Sequence, residues 1–109
     1  MERKDYENYA EKLKALGHPV RLKIAVELSD GSYTVNALCN SLRIPQATVS
    51  QHLSILRNKG IIEGSRSGTS ISYYLSSNTV KTMLDRLRES AGDTIPKQQN
   101  LANQKEARA

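Results

Sequence analysis

Several residue types that build or cross-link protein cores are scarce in this chain. Its 109 residues include no tryptophan, no phenylalanine and one cysteine. A single cysteine excludes an internal disulfide framework and fits a reducing cytosol, so we expect a cytoplasmic protein. No apolar run of about 18 residues and no basic-plus-apolar leader occurs, so we predict neither a membrane span nor a secretory signal. The length allows one domain with a small core, and such proteins often gain burial by oligomerising.

Groups that carry catalysis are also few. The two histidines, His18 and His52, are far apart in the sequence, and Cys39 lies on an apolar helix face. Neither a phosphate-binding loop nor a His-Glu-x-x-His metal motif is present. We therefore predict that the protein is not an enzyme and that it needs no cofactor.

The whole chain has a formal net charge of +5, and acidic residues are scarce in its middle part. Residues 1–30 hold six basic and six acidic side chains, whereas residues 31–76 hold Glu63 as their single acid. A basic excess points to a polyanion such as nucleic acid, although it says nothing about the fold. The basic side chains of the second segment are Arg43, Arg57, Lys59 and Arg66.

The acid-free segment 44–60 contains a helix with two contrasting faces. Val49, Leu53 and Leu56 repeat at the spacing of an amphipathic helix and predict its core side. The opposite side carries small or amide-bearing residues where a solvated face would usually carry Glu and Lys. Such side chains suit base edges in the DNA major groove, and the alternative is a surface helix that lacks charges. This polar face consists of Ala47, Ser50, Gln51, Ser54 and Asn58.

Apolar stripes predict three helices before this segment. The first ends at Gly17, and the second runs from Pro19 to about Ser29. A third, about two turns long, is capped by Thr34 and followed by the break Arg43-Ile44-Pro45. A short helix, a tight turn and the polar-faced helix together make a helix-turn-helix. The stripe of the first helix is Tyr6, Ala10, Leu13 and Leu16, and that of the third is Val35, Leu38, Cys39 and Leu42.

Alternating β-branched and aromatic residues follow Gly60. The runs "IIEGSR" and "SISYYLS" flank the dipeptide Ser67-Gly68 and predict a hairpin with a small polar tip. A last helix from about Asn78 to Ser90 precedes a segment rich in Gln, Asn, Lys and Ala. We therefore divide the chain into one domain, residues 1–90, and a flexible tail, residues 91–109. The stripe of the last helix is Val80, Met83, Leu84 and Leu87.

Three linked motifs resemble the ArsR/SmtB-type winged-helix transcriptional repressors. They are "LKALGHPVRLKIAVEL" at residues 13–28, "ATVSQHLSILRNKGI" from Ala47, and the wing pattern R-x-G-x-x-x-x-Y-x-L from Arg66. The resemblance covers about residues 10–88 and implies a mainly α (α+β) winged helix-turn-helix with a β-hairpin wing and a C-terminal dimerisation helix. It also implies a sequence-specific DNA-binding regulator, a dimeric repressor that binds a palindromic operator.

The resemblance assigns a role to each residue of the DNA surface. Pro45 stands where relatives often have a serine cap, so the position of Gln46 stays open. His52 lies nearer the buried flank, which favours helix packing or a phosphate contact over base reading. The resemblance implies base contacts by Gln46, Ala47, Ser50 and Gln51, phosphate contacts by Thr48 and Arg57, and minor-groove or backbone contacts by Arg66, Gly68 and Thr69.

Family members are dimers formed by their first and last helices, and this chain has an apolar stripe on each. The stripes could also be intrachain core, but 109 residues cannot easily bury both. The partners implied are therefore double-stranded DNA and a second copy of the chain. The dimerisation residues implied are Tyr6, Ala10, Leu13, Val80, Met83, Leu84 and Leu87.

The residues by which relatives sense an effector are missing. Thr34 and Asn36 stand where many relatives have a metal-binding cysteine pair, and the last helix has Asp85 and Glu89 but no histidine. We therefore predict no metal site. Cys39 is interpreted as a core residue, with a reactive thiol as the alternative. Two alternative functions remain. The protein could be an effector-responsive family member that uses a non-standard metal, thiol or small-molecule site, or its winged helix could serve protein contact.

Overall fold

Five helices and a three-stranded sheet make up the described part of the chain. The structure is a computed structural model and describes residues 1–92. The element order confirms the predicted winged helix-turn-helix, while the predicted tail beyond residue 92 lies outside the described residues. The helices are α1 (Arg3–Leu16), α2 (Pro19–Leu28), α3 (Val35–Leu42), α4 (Gln46–Asn58) and α5 (Asn78–Ser90). The strands are β1 (Tyr33–Thr34), β2 (Ile62–Ser67) and β3 (Ser70–Leu75).

Side chains just before the helices fix where they begin. Thr34 Oγ1 accepts the backbone N–H of Ala37 at 3.1 Å and caps α3 as predicted. Ser77 caps α5 in the same way. The cap of α2 was not predicted, because an imidazole replaces the usual hydroxyl or carboxylate: His18 Nδ1 accepts the N–H of Val20 at 3.1 Å.

The core lies where α2, α3 and α4 meet the sheet. Val49 and Leu56 are fully buried and Leu53 is 2% exposed, which confirms the predicted core side of α4. Leu38 brings α3 into the same cluster. Ile61 and the first residue of β2 are also fully buried, so the core continues from the end of α4 into the wing. Within residues 1–92, no helix is long and apolar enough to cross a membrane.

The sheet joins the wing to the connection between α2 and α3. Its order is β1-β3-β2, with both pairs antiparallel, and Tyr33 of β1 lies opposite Tyr73 of β3. Strand β1 was not predicted, because two residues show no periodicity and their partner strand lies far along the chain. Tyr33 is 2% exposed and anchors the base of the wing in the core.

The wing itself is the hairpin formed by β2 and β3. Ser67 pairs with Ser70, which leaves a two-residue loop whose first residue, Gly68, has φ 63°. Gly68 suits its positive φ, whereas Gly64 in β2 leaves space for a neighbouring side chain. A Cβ at Gly64 would lie 3.0 Å from Ile71 Cγ2. The side chains of β3 therefore lie directly across β2. The far half of the hairpin is exposed and ends in small polar residues, as predicted.

Candidate nucleic-acid interface

The outward face of α4 is the polar face expected from the sequence. All five of its residues are exposed, and the opposite side of the helix is buried. The helix cannot rotate without moving Leu53 and Leu56 into water, so burial fixes which side chains point outward. The residues assigned to base edges are all exposed on this helix: Gln46, Ala47, Ser50 and Gln51. Thr48, assigned to phosphate, is half-buried beside them.

The amino end of α4 keeps its positive partial charge. Pro45 is the N-cap with φ −59°, and it makes no side-chain capping bond. Its carbonyl accepts the N–H of Val49 at 3.0 Å, so the helix begins at Gln46 without a serine. The first turn contains no acidic residue. The first N–H groups and the helix dipole therefore remain available to an anion or a base acceptor.

Three arginines lie before α4, in its last turn and on the wing. Arg43 precedes α4, Arg57 lies in its last turn, and Arg66 lies on the wing. All three are exposed, and no carboxylate of residues 1–92 forms an ion pair with them. Exposed guanidinium groups without acidic neighbours are suited to phosphate oxygens.

Lys59, the other basic residue of this region, has a structural role instead. Its Nζ lies 2.7 Å from Glu11 Oε1, and its carbonyl accepts Nζ of Lys12 at 2.6 Å. The hydrogen bond and charge of Lys59 lower the pKa of Glu11 from its ordinary value. These contacts join α1 to the carboxyl end of α4. They were not predicted, because they link residues almost fifty positions apart.

His52 connects the inner flank of α4 to the start of α2. Its ring centroid lies 4.7 Å from that of His18, and its Nδ1 lies 3.4 Å from Nη1 of Arg21. Arg21 also donates from Nε to the carbonyl of Ala15 at 2.6 Å, so one guanidinium joins α1 and α4. The position agrees with the packing role expected for His52. Burial, followed by the charges of His18 and Arg21, lowers the pKa of His52 below its ordinary value.

Mild acid should therefore destabilise the protein through His52. The unfolded side chain titrates near pH 6.5, and the folded one titrates lower. Above the unfolded pKa both states are neutral and the contribution to stability is complete. As the pH falls below it, the unfolded chain binds a proton first, and the free energy of unfolding decreases. Urea unfolding between about pH 7.5 and about 5.5, at one protein concentration, measures this decrease.

His52→Gln provides the matched control for this titration. Glutamine can still accept a hydrogen bond from Arg21 but does not titrate. Its free energy of unfolding should fall less than that of the wild type over the same pH range. An equal decrease in both proteins would show that His52 does not cause it.

The segment that contains the helix-turn-helix matches a known family. A family model described as "Bacterial regulatory protein, arsR family" matches residues 18–64. HTH-type transcriptional repressor SmtB of Mycobacterium tuberculosis (strain CDC 1551 / Oshkosh) is 37% identical over 86 residues. The match covers 78% of this chain, and the chain spans 64% of the length of that relative. The chain belongs to the arsR family of bacterial regulatory proteins.

Solved structures agree with this arsR-family assignment. The transcriptional repressor PagR of Bacillus anthracis superimposes with a TM-score of 0.75 at 37% identity, covering 79% of this chain and 99% of PagR. The homodimeric winged helix-turn-helix DNA-binding domain of Mb0332 from Mycobacterium bovis has a TM-score of 0.75 at 26% identity. That match covers 87% of this chain and 90% of the domain. Both similarities support the winged helix-turn-helix fold of this arsR-family chain.

The expected dimerisation residues of this arsR-family protein fall into two groups. Val80 and Leu84 are 1% and 2% exposed, so they belong to the core of the chain itself. The α5 helix packs on its own domain through these two side chains. Val80 and Leu84 also line the apolar grooves between α1 and α5, so their part in dimerisation stays a prediction. The remaining residues are exposed on α1 and α5: Tyr6, Ala10, Leu13, Met83 and Leu87.

The exposed apolar residues of the described chain concentrate on this surface. The exposed large hydrophobic side chains of residues 1–92 are Met1, Tyr6, Leu13, Tyr74, Met83 and Leu87. All of them except Tyr74 lie on α1, on α5 or just before α1. Leu13 and Met83 line both of the apolar grooves between the two helices. Leu13 is 52% exposed and Leu87 is 49% exposed. A contiguous apolar patch of this kind marks an interaction surface.

The groups considered as metal ligands are engaged in other contacts. Asp85 lies 3.5 Å from Lys81, and Glu89 lies 3.6 Å from Arg86, each pair on the surface of α5. Within residues 1–92, no three His, Cys, Asp or Glu side chains come together as a possible metal site. Cys39 is half-buried and packs against the core, next to the turn of the helix-turn-helix. Its reactivity stays a prediction.

Proposed function

We propose that the protein is a sequence-specific transcriptional regulator that acts as a dimeric repressor in the cytoplasm. The observation that carries this proposal is the face of α4, which is exposed, uncharged and rich in amides and hydroxyls. The arginines before α4, in its last turn and on the wing pair with no carboxylate of residues 1–92. Hydrogen-bonding side chains on a helix can distinguish base pairs in the major groove. The similar proteins SmtB and PagR are both described as transcriptional repressors, which supports the proposed repressor function.

In the proposed complex, different parts of the domain make different contacts. Gln46, Ala47, Ser50 and Gln51 face base edges, while Thr48 and Arg57 contact phosphates. Amide side chains pair well with adenine, and a small side chain such as Ala47 admits the helix closely into the groove. The tip of the wing, Arg66 to Thr69, contacts the adjacent minor groove or backbone. None of these roles requires a catalytic group, so we propose a binding protein and not an enzyme.

The proposed dimer forms through the exposed apolar residues of α1 and α5. An interface of this kind repeats the same patch on both subunits about a two-fold axis. Two recognition helices would then meet a palindromic operator whose half-sites lie roughly 10 base pairs apart. The similarity to the Mb0332 domain, which is described as homodimeric, supports this arrangement. Repression would follow because the bound dimer excludes polymerase from the promoter.

We further propose that this regulator lacks the metal-binding cysteine pair and the dithiol switch of many relatives. The chain has one cysteine, and Asp85 and Glu89 are held by basic neighbours on α5. Soft metal ions need several thiolate ligands, which one chain cannot supply here. Isothermal titration tests this directly. Stoichiometric binding of zinc, nickel or arsenite that also weakens DNA affinity would overturn it.

Footprinting on selected genomic DNA tests the proposed function. Fragments of the source genome are enriched on the purified protein and then probed with a nuclease. We expect protection of two symmetric half-sites roughly 10 base pairs apart, centre to centre. Absence of any protected site on the enriched fragments would overturn the proposal and would favour a winged helix that binds a protein instead.

A further inference from the structure

The turn of the helix-turn-helix contains an arginine in a conformation that favours glycine. Arg43 has φ 58° and ψ 45°, and no other non-glycine among residues 1–92 has positive φ. A side chain with a Cβ is strained in this left-handed region, and helices that end this way usually use glycine or asparagine. Its backbone N–H bonds the carbonyl of Cys39 at 2.8 Å and closes α3. Glycine would close the helix equally well.

No side-chain contact among the described residues explains why an arginine stands at this position. The Arg43 side chain is exposed, and no side chain or carbonyl of residues 1–92 hydrogen-bonds its guanidinium. The backbone bond to Cys39 closes the helix but does not need an arginine side chain. Strained backbone positions of non-glycine residues cluster at functional sites.

The position of Arg43 indicates its function. Ile44 and Pro45 are the only residues between it and the amino end of α4, where the exposed Gln46 and Ala47 begin the polar face. A helix that lies in the major groove has phosphates along both edges of the groove. Arg57, at the other end of α4, is suited to one edge, and a flexible arginine before its first turn is suited to the other.

We propose that Arg43 binds a backbone phosphate of the operator from the turn of the helix-turn-helix. This inference rests on the proposed function and adds a contact that the ArsR/SmtB resemblance did not assign. The contact is independent of base sequence, so it orients α4 and adds affinity equally on all DNA. Its partner is the phosphodiester oxygen, which a guanidinium binds through charge-assisted hydrogen bonds.

Arg43→Gly separates this role from a structural one. Because glycine relieves the strain, the thermal midpoint should stay the same or rise. Affinity for the selected fragment and for scrambled DNA should fall together, by about tenfold in 0.1 M salt. The slope of log affinity against log salt should become shallower by about two for a dimer, one phosphate for each half-site. Fluorescence anisotropy over a salt series and a melting curve provide these quantities.

Arg43→Lys is the matched control, because it keeps the charge and the strained backbone. Its affinity should stay within about threefold of the wild type. Unchanged affinity and slope in Arg43→Gly would overturn the inference while leaving the proposed function intact. A lower thermal midpoint in Arg43→Gly would overturn it too, since Arg43 would then stabilise the fold. If the wild type itself bound no DNA, the proposed function would fail together with the inference.

Discussion

Replacing Leu13 by glutamate should convert the protein from a dimer to a monomer and lower operator affinity by about a hundredfold or more. Leu13 is half exposed and lies in both apolar grooves between α1 and α5. A carboxylate there would lose its water in the proposed interface without gaining a partner. Since it lies at the surface of the single chain, the fold should persist. Analytical ultracentrifugation gives the oligomeric state, and circular dichroism checks the fold.

Asn8→Glu is the control for this substitution. It adds the same charge to an exposed position of α1, on the side of the helix away from the stripe of Tyr6, Ala10 and Leu13. We expect a dimer with nearly wild-type operator affinity. If Leu13→Glu remained a dimer at micromolar concentration, the interface would have to lie elsewhere on the surface.

Replacing Gln51 by alanine should lower the affinity for the operator by about 1–3 kcal/mol and leave the affinity for unrelated DNA nearly unchanged. Gln51 is exposed at the middle of the polar face, two positions before the buried Leu53. Its amide can donate and accept at one adenine, and alanine can do neither. The substitution should not reduce stability, because the side chain buries little surface. Competition binding with operator and scrambled fragments measures the difference.

Arg57→Ala is the contrasting variant for this prediction. Arg57 lies in the last turn of the same helix, and its proposed partner is a phosphate. Its loss should weaken binding to both fragments alike and make the salt dependence shallower by about one for each half-site. If Gln51→Ala also weakened binding to both fragments equally, Gln51 would not read a base.

The two faces of α4 could be predicted from the sequence because a helix repeats over short distances. The spacing of Val49, Leu53 and Leu56 alone distinguished the buried side from the polar side, and the structure has the same division. The hydroxyl cap of α3 at Thr34 is local in the same sense. These two features depend on neighbouring residues in the sequence, and both were predicted correctly.

Contacts between distant segments could not be predicted in this way. The strand β1 exists because Tyr33 meets Tyr73, and the link between α1 and α4 depends on Lys12 and Lys59. The contact between the rings of His18 and His52 likewise joins two different helices. The cap by His18 is local but was also missed, because imidazole is an unusual capping group. Nothing periodic in the sequence marks such pairs.

The apolar stripe on α5 shows a different limit of sequence patterns. Val80, Met83, Leu84 and Leu87 share one stripe, yet Val80 and Leu84 are core while Met83 and Leu87 are exposed. Periodicity detects an apolar face but does not tell which part is covered by the same chain. In a domain of this size the division depends on how α5 packs against the core cluster. Only the assembled structure provides that information.

Fluorescence anisotropy with the wild-type protein tests the central claim, sequence-specific DNA binding, most directly. The measurement compares a fragment selected from the source genome with a scrambled fragment of equal length across a salt series. We predict that the selected fragment binds about a thousandfold or more tightly, with an affinity that falls steeply as salt rises. Equal, weak binding to both fragments at every salt concentration would contradict the claim.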